Sequence, residues 1–536
     1  MKRALVIAYA FAMLAALIPE TSAVAQGVRP AGLHLGKATG GGVGTVGTAA
    51  AQAMRQGYLV PDQAAYERAK QSAARSVGPF ATASAGPSAP SASVSWKGLS
   101  NPGLTPSDST GAIGTTRYIE TVNAKVGIYD RTGTLIKSGT LDKFWTEPLN
   151  KNFDPQVMWD ATTDRFYYTG DSVASPSDNR LAFGFSKSDS PNNPAADWCH
   201  YQVSYGSAFP DYPKLGDSRD FAIIGVNVFT GASFTGSDIL AIGKPGGTAA
   251  ISTCPDPSPF AFVNATDILT GTGAPAFTPV PATEVDSEST GYIVARPFSV
   301  PATKLTILTV TKNVDASPNI ATTGTDVSVP SYSIPADAPQ AGTSRTLDTS
   351  DTRPTQAVAA VDPSQSDAFA VWTQHTVSGG AGAQVRWYEI GPATATVLQS
   401  GTVTSAKLYS FNGAISPDRV VEGTTQAFGS NMVLGFNTSS STTKPTIKMV
   451  SKLAGVAQSA PVKIKGSPGF DVDFSCSGST AVCRWGDYAA ATPDPAAPTG
   501  ASAGVVWLTS MWNKDGSTID PATGTAWQTW NWSANP

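Results

Sequence analysis

Eight polar side chains, scattered over nearly four hundred residues, share one setting. Asp108, Asp154, Tyr212, Lys214, Arg353, Gln356, Arg484 and Asp487 each stand at the start of a short strand-like stretch. Carboxylates among Arg, Lys and Tyr suit an acidic sugar: guanidinium forks clamp a carboxylate, and a carboxyl pair can do general acid/base work. On that reading Asp154, Tyr212, Lys214 and Asp487 are the catalytic candidates. The carboxyls would serve hydrolysis, or Tyr212 and Lys214 would take the proton beside a uronate carboxylate, as a lyase does. Asp108, Arg353, Gln356 and Arg484 are the ligand-binding candidates. The carboxylates could instead hold a structural Ca2+; the residues imply no other cofactor and no other metal site. A plainer role competes. Asp before Pro or Gly caps turns, and Arg484 and Asp487, three apart, can pair with each other.

Other chemistries lack their residues. There is no G-x-S-x-G elbow, no H-E-x-x-H, no phosphate-binding loop and no EF-hand pattern. Three histidines, His34, His200 and His375, are too few for a histidine-rich metal site. A Ser-His-Asp triad would have only His200 or His375. Trp372, Trp387, Tyr388, Trp507, Trp512 and Trp530 would either stack on sugar rings or pack the core.

What would bring the eight together is a repeat. A small apolar strand, an Asp- or Pro-containing turn and a second strand recur at 111–122, 155–170, 212–227, 281–295, 356–372, 413–436 and 488–509. Within them the period is two, as in Val122, Ala124, Val126 and Ile128, so one face is buried and one is wet. Seven copies predict an all-β fold, a seven-bladed β-propeller over 96–536 in which each copy supplies the two inner strands of a blade. Ala92 to Trp96 would close the ring against the Trp527–Trp532 end. Six or eight blades, or tandem β-sandwiches, are the alternatives. In a propeller the eight residues would meet at one end of the central channel.

The composition fits an exported chain. Met1-Lys2-Arg3, an uncharged apolar run from Ala4 to Ile18 and Ala23-Val24-Ala25 read as a signal peptide over 1–25, too short for the roughly 20 residues of a membrane span. No later stretch is long enough to span. Charged residues make up 14% while Gly (51) and Pro (40) abound, the profile of a turn-rich secreted protein. The net charge of −4 offers no basic footprint for nucleic acid. Residues 26–95 read as a low-complexity leader or linker with one short helix between Pro61 and Arg75. Cys199, Cys254, Cys476 and Cys483 are even in number and lack CxxC metal spacing. Cys476 and Cys483 flank a turn-like Ser-Gly-Ser-Thr-Ala-Val, which favours pairing them across a hairpin and joining Cys199 to Cys254.

Several segments also resemble a known group. Asp108-Ser-Thr-Gly-Ala-Ile-Gly before Tyr118, Asp154-Pro-Gln-Val-Met-Trp-Asp160 before Arg165-Phe, Tyr212-Pro-Lys-Leu-Gly216 and Arg484-Trp-Gly-Asp-Tyr488 resemble exported bacterial β-propellers distantly sialidase-like in shape. Ser186-Lys-Ser-Asp-Ser-Pro191, leading to Trp198, looks like their polar hairpin between outer strands. The likeness covers Leu99 to Trp532 and implies architecture more than activity. The sialidase Asp-box is not kept: Thr518-Ile-Asp-Pro-Ala-Thr-Gly-Thr-Ala-Trp527 carries extra residues, and no Tyr–Glu nucleophile pair stands out. The expected function is therefore a secreted or periplasmic binding protein of the bacterial envelope or exterior. Its partner would be a glycan or an envelope or extracellular protein, held at the central funnel. The alternative is a glycoside hydrolase or polysaccharide lyase acting on an acidic polysaccharide.

Overall fold

Val, Ile, Phe and Trp alternate with Thr, Ser and Asn along much of the chain, and this pattern makes strands of more than half of it in the computed structural model. The structure describes residues 33–38, 59–75, 89–101, 103–146, 151–257, 260–421, 428–476, 481–496, 504–515 and 526–536. The expected signal peptide lies outside them. Among the described residues no helix is long and apolar enough to cross a membrane.

Seven mainly antiparallel sheets follow each other along these residues, each built on a meander from an inner strand; Thr283–Glu284 adds a parallel strand to the fifth, and a small three-stranded sheet stands apart. Those inner strands are Thr110–Ile113, Lys151–Asp160, Phe209–Asp217, Ala276–Pro281, Pro354–Asp362, Tyr409–Pro417 and Ala490–Pro493. We number the sheets one to seven in that order. Six of the seven repeat copies read from the sequence fall on the first two strands of one sheet; the fourth, 281–295, begins where the inner strand of sheet four ends, and its Thr283–Glu284 pairs with sheet five. The inner strands touch in chain order, and that of sheet seven touches that of sheet one. The arrangement is propeller-like.

Packing explains the closure. A four-stranded sheet with two apolar faces must cover both, and each junction between neighbouring sheets holds its own core. Ala112, Ile119 and Ile128 of sheet one meet Trp159, Phe166 and Trp198 of sheet two. At the last junction Val506, Leu508 and Trp532 of sheet seven meet Val433, Ile447 and Met449 of sheet six. Tyr118 and Tyr129 then pack on Trp507 to join sheet one to sheet seven. Full burial of each large apolar side chain contributes about 1.5–3 kcal/mol. The ring is fastened by Ser91–Lys97, which pairs antiparallel with Trp527–Asn535 and makes the outermost strand of sheet seven. This is the closure expected for Ala92 to Trp96.

Two features differ from the reading of the sequence. Of the residues ahead of the ring, two described stretches pack on it: Leu35–Lys37 pairs with Trp198–Gly206, and the helix Gln63–Arg75 lies on the body. Disulfides join Cys199 to Cys254 and Cys476 to Cys483, the favoured pairing, but the second does not bridge a hairpin. Cys476 ends a short 3-10 turn, and Cys483 lies in a two-residue strand parallel to Thr346–Leu347. Leu347 and Cys483 are buried against Trp485 there, so long-range packing decided the setting.

Candidate functional site

The site grows from a backbone irregularity repeated around the ring. Near its start, the ladder of five inner strands slips by a residue: between Phe153 and Gln156, Asp211 and Lys214, Phe277 and Val280, Pro354 and Gln356, and Phe411 and Ala414. Asp154, Tyr212, Thr278 and Asn412 sit in these bulges with φ of +52°, +59°, +55° and +51°. Asp108, at +43°, takes the same conformation just ahead of sheet one's inner strand. A non-glycine residue held there costs on the order of 1–2 kcal/mol, and a bulge re-aims the side chain it carries. Here the side chains collect on the axis.

Most of the residues singled out in the sequence do come together. Tyr212 Oη donates to the Asp487 carbonyl at 2.7 Å, and Tyr488 Oη donates to Asp154 Oδ2 at 3.1 Å. The Lys214 amine lies between those two rings, 3.7 Å and 3.6 Å from their centroids. Arg484 pairs with Asp487, and the Arg353 guanidinium lies 4.7 Å from the Tyr212 centroid. Gln356 is the exception. Its amide is spent on the backbone of Ala491, tying sheet five to sheet seven further down the axis.

Sequence reasoning missed a second ring of contributors. The second-strand residue facing each bulge is Asp171 in sheet two, Asn227 in sheet three, Arg296 in sheet four, His375 in sheet five and Asn437 in sheet six. Asn227 Oδ1 accepts the Thr278 N–H at 2.8 Å, and Asn123, just past the second strand of sheet one, accepts the Asp154 N–H at 2.9 Å. In sheet two this position is Asp171, fully buried, and neither of its carboxylate oxygens has a hydrogen-bond partner. The Lys214 amine has none either. Asp351 completes the set: Arg353 Nε donates to it at 2.7 Å and Arg296 Nη2 at 3.1 Å. Their signal in sequence is faint. Asp171 follows Thr-Gly in the second copy, but only the register shows that it matches Asn227.

Burial dominates the electrostatics, because taking a charge out of water disfavours its ionised form. It pushes Asp108 well above the usual carboxylate range, helped by Asp154 and Asp487. Burial raises Asp154 too, against the pull of Arg484. Burial raises Asp171 strongly, with Asp154 and Asp211 adding to it. It raises Asp211 to about 8 against the pull of Arg353, and Asp487 to about 6 against Arg484. It lowers Lys214 well below an ordinary lysine, although Asp154 opposes the shift. Asp351 goes the other way: burial would raise it, but Arg353 and then Arg296 hold it down.

The funnel is roofed, not open. Leu59 and Val60 are buried, Leu59 O accepts from Arg353 Nη2 at 3.1 Å, and Val60 packs with Tyr212 and Tyr488. The helix Gln63–Arg75 continues this strap. Its Lys70 reaches Asp337 at 2.7 Å, Thr349 at 2.9 Å and Asp348 at 3.2 Å, and Tyr66 Oη donates to Asp348 at 3.1 Å. Between strap and body lies a cavity of about 190 Å³, lined by Val60, Asp62 and Tyr66 on one side and Arg296, Phe298 and Asp351 on the other. Through Arg296 and Asp351 it borders the axial cluster.

Among the described residues no group of three or more His, Cys, Asp or Glu side chains is placed to hold a metal ion. His375 is buried between the Thr352 carbonyl and Tyr388 Oη, and His200 bonds Tyr168 Oη. Burial lowers both to about 3, and neither faces a serine nucleophile.

No protein-family model and no curated protein sequence matches the chain. Solved structures similar to it include a mutant apocarotenoid oxygenase of Synechocystis, at 11% identity over 67% of this chain and 72% of that one, with a TM-score of 0.36. An exo-β-1,3-galactanase of Phanerochaete chrysosporium matches at 10% identity over 67% and 90%, with a TM-score of 0.28. A GH43_1 enzyme of Xanthomonas citri matches at 9% over 56% and 94%, with a TM-score of 0.27. Likenesses of this size carry no functional argument, and they lend the sialidase part of the resemblance no support. The propeller-like fold rests on the strand order and the closed ring of contacts.

Proposed function

We propose that this chain is an exported seven-bladed β-propeller, each of the seven sheets a blade, that binds an acidic glycan at the strand-start end of its axis. The observation that carries the reading is the pair of buried, unsatisfied groups there. Where sheets one and three place an asparagine that fastens the next sheet, sheet two places Asp171, both of whose oxygens hydrogen-bond to nothing. Lys214, one blade on, likewise spends its amine on no protein acceptor. Leaving a buried polar group unmatched costs about 1–3 kcal/mol, and a fold that repeats a fastening motif and then omits it keeps hydrogen-bonding capacity in reserve. Sugar hydroxyls would serve Asp171, a sugar carboxylate would serve Lys214, and the cavity beside Arg296 offers the approach. The two disulfides accord with folding outside the reducing cytoplasm.

The test is calorimetric titration of the mature protein with acidic and neutral oligosaccharides. An acidic oligosaccharide should bind, and Asp171→Asn and Lys214→Met should each weaken it about tenfold or more while the chain stays folded. Lack of binding across the panel, or two folded variants that bind like the parent, would remove this reading. The enzymatic alternative draws on Asp211, whose carboxyl burial lifts to about 8, and on Asp487, lifted to about 6. New reducing ends or unsaturated uronates in the same incubations, abolished by Asp154→Asn or Asp487→Asn, would establish it instead.

A further inference from the structure

Of the six aromatic residues singled out as possible sugar platforms, five are used up in packing. Trp372, Trp387, Tyr388, Trp507 and Trp512 are at most 5% exposed, whereas Trp530 is only partly buried. Trp530 lies near the rim, on the strand Trp527–Asn535, at the junction of sheets six and seven. Its ring meets that of Trp512 edge to face, centroids 6.1 Å apart. Lys465, on the outermost strand of sheet six, reaches across the junction, its amine 4.2 Å from the Trp530 centroid and 4.3 Å from that of Trp512. Lys97, on the outermost strand of sheet seven, stands directly opposite Trp530 in register. Lys463 lies two residues before Lys465 and directly faces Lys448 across the ladder.

This is a knot of like charge in a chain whose net charge is −4. Burial lowers the pKa of Lys465, and the nearby charges of Lys97 and Lys463 lower it further. Among the described residues none of Lys97, Lys448, Lys463 and Lys465 has a carboxylate partner. Like charges directly opposed across strands are destabilising. Lysines on edge strands do guard against strand-to-strand aggregation, which accounts for Lys97 and Lys463. That protection does not explain an indole left partly open at the same edge, or a lysine laid over two indoles.

We propose that this rim groove, floored by Trp530 with Trp512 packed behind it and edged by Lys97 and Lys465, is a second binding site, for an acidic polysaccharide. The C–H face of a pyranose ring stacks on the indole, and carboxylates along the chain neutralise the lysines. The site lies on the outer strands, away from the axial cluster, and does not depend on the reading of that cluster.

The experiment is affinity electrophoresis of the mature protein in native gels containing polygalacturonate, dextran sulfate or neutral dextran, with anionic lipid vesicles in a parallel flotation assay. Polygalacturonate should retard the protein and neutral dextran should not. Trp530→Phe and Lys97→Glu should each weaken the retardation about tenfold. Lys137→Gln, which removes an exposed charge from sheet one, should leave it unchanged. Lys97 is exposed, so its replacement tests the site even if the tryptophan variant fails to fold. Absence of retardation overturns the proposal. So does retardation that falls equally with Lys137→Gln, which would be plain ion exchange, or binding to vesicles alone.

Discussion

The chain places aspartate at both ends of its inner strands, and the two sets do opposite things. At the finishing end Asp160, Asp362 and Asp494 sit at or next to the last strand residue, where each accepts the backbone N–H two residues on. This is the ordinary cap that Asp offers a turn. Charges there also pair across sheets, Arg419 with Asp286 and Arg131 with Asp494, both at 2.5 Å. At the starting end Asp108 and Asp154 sit at positive φ and point along the axis into a buried cluster of carboxyls, tyrosines and cations. One residue type serves as punctuation at one end and as machinery at the other. What separates the two is the left-handed backbone, within a bulge at Asp154 and just ahead of the strand at Asp108: a regular ladder leaves Asp beside its own turn, whereas positive φ turns it toward the neighbouring sheets.

That contrast can be broken most forcefully at Arg353. Arg353→Met leaves Asp351 buried with Arg296 as its remaining cation, and loss of such a partner costs about 3–5 kcal/mol, read as a lower urea midpoint. Arg419→Met at the finishing end should cost clearly less, because Asp286 is partly exposed to water. Equal losses would erase the distinction between the ends.

A pH series sharpens it. Asp211 titrates near 8 in the folded protein against an ordinary value of 3.8, so the folded state holds its proton more tightly than the unfolded one. Its contribution to stability is complete below about pH 4 and is lost as pH rises toward about 8. Asp211→Asn should therefore flatten the fall in Tm between those values, and an unchanged slope would show that Asp211 is not buried as described.

The strap offers a smaller, local effect. Burial by itself would lower Lys70, but Asp337 and Asp348 outweigh it and the amine is raised, so it stays charged. Lys70→Met should speed hydrogen exchange in Gln63–Arg75 at least several-fold while the sheets keep their protection. The mildest change belongs to a finishing-end cap: Asp362→Ala should cost about 1 kcal/mol and leave ligand binding at the starting end untouched.

Residue order alone settled a good deal here. Period-two alternation, the recurring strand–turn–strand unit and the turn residues between copies located the inner strand pairs, because these signals act over a few neighbours. The strand that fastens sheet seven and the favoured cysteine pairing were legible for a related reason, since each rests on position along the chain. Asp108, Asp154, Tyr212, Lys214, Arg353, Arg484 and Asp487 could be picked out because they recur at strand starts. Tertiary structure decided the rest. Asp171, Arg296 and Asp351 enter the cluster through cross-strand register, Gln356 leaves it for the backbone of another sheet, and Leu59 and Val60 roof it. Each depends on contacts between residues dozens to hundreds of positions apart. Such contacts are set by closing the ring, which no local pattern encodes.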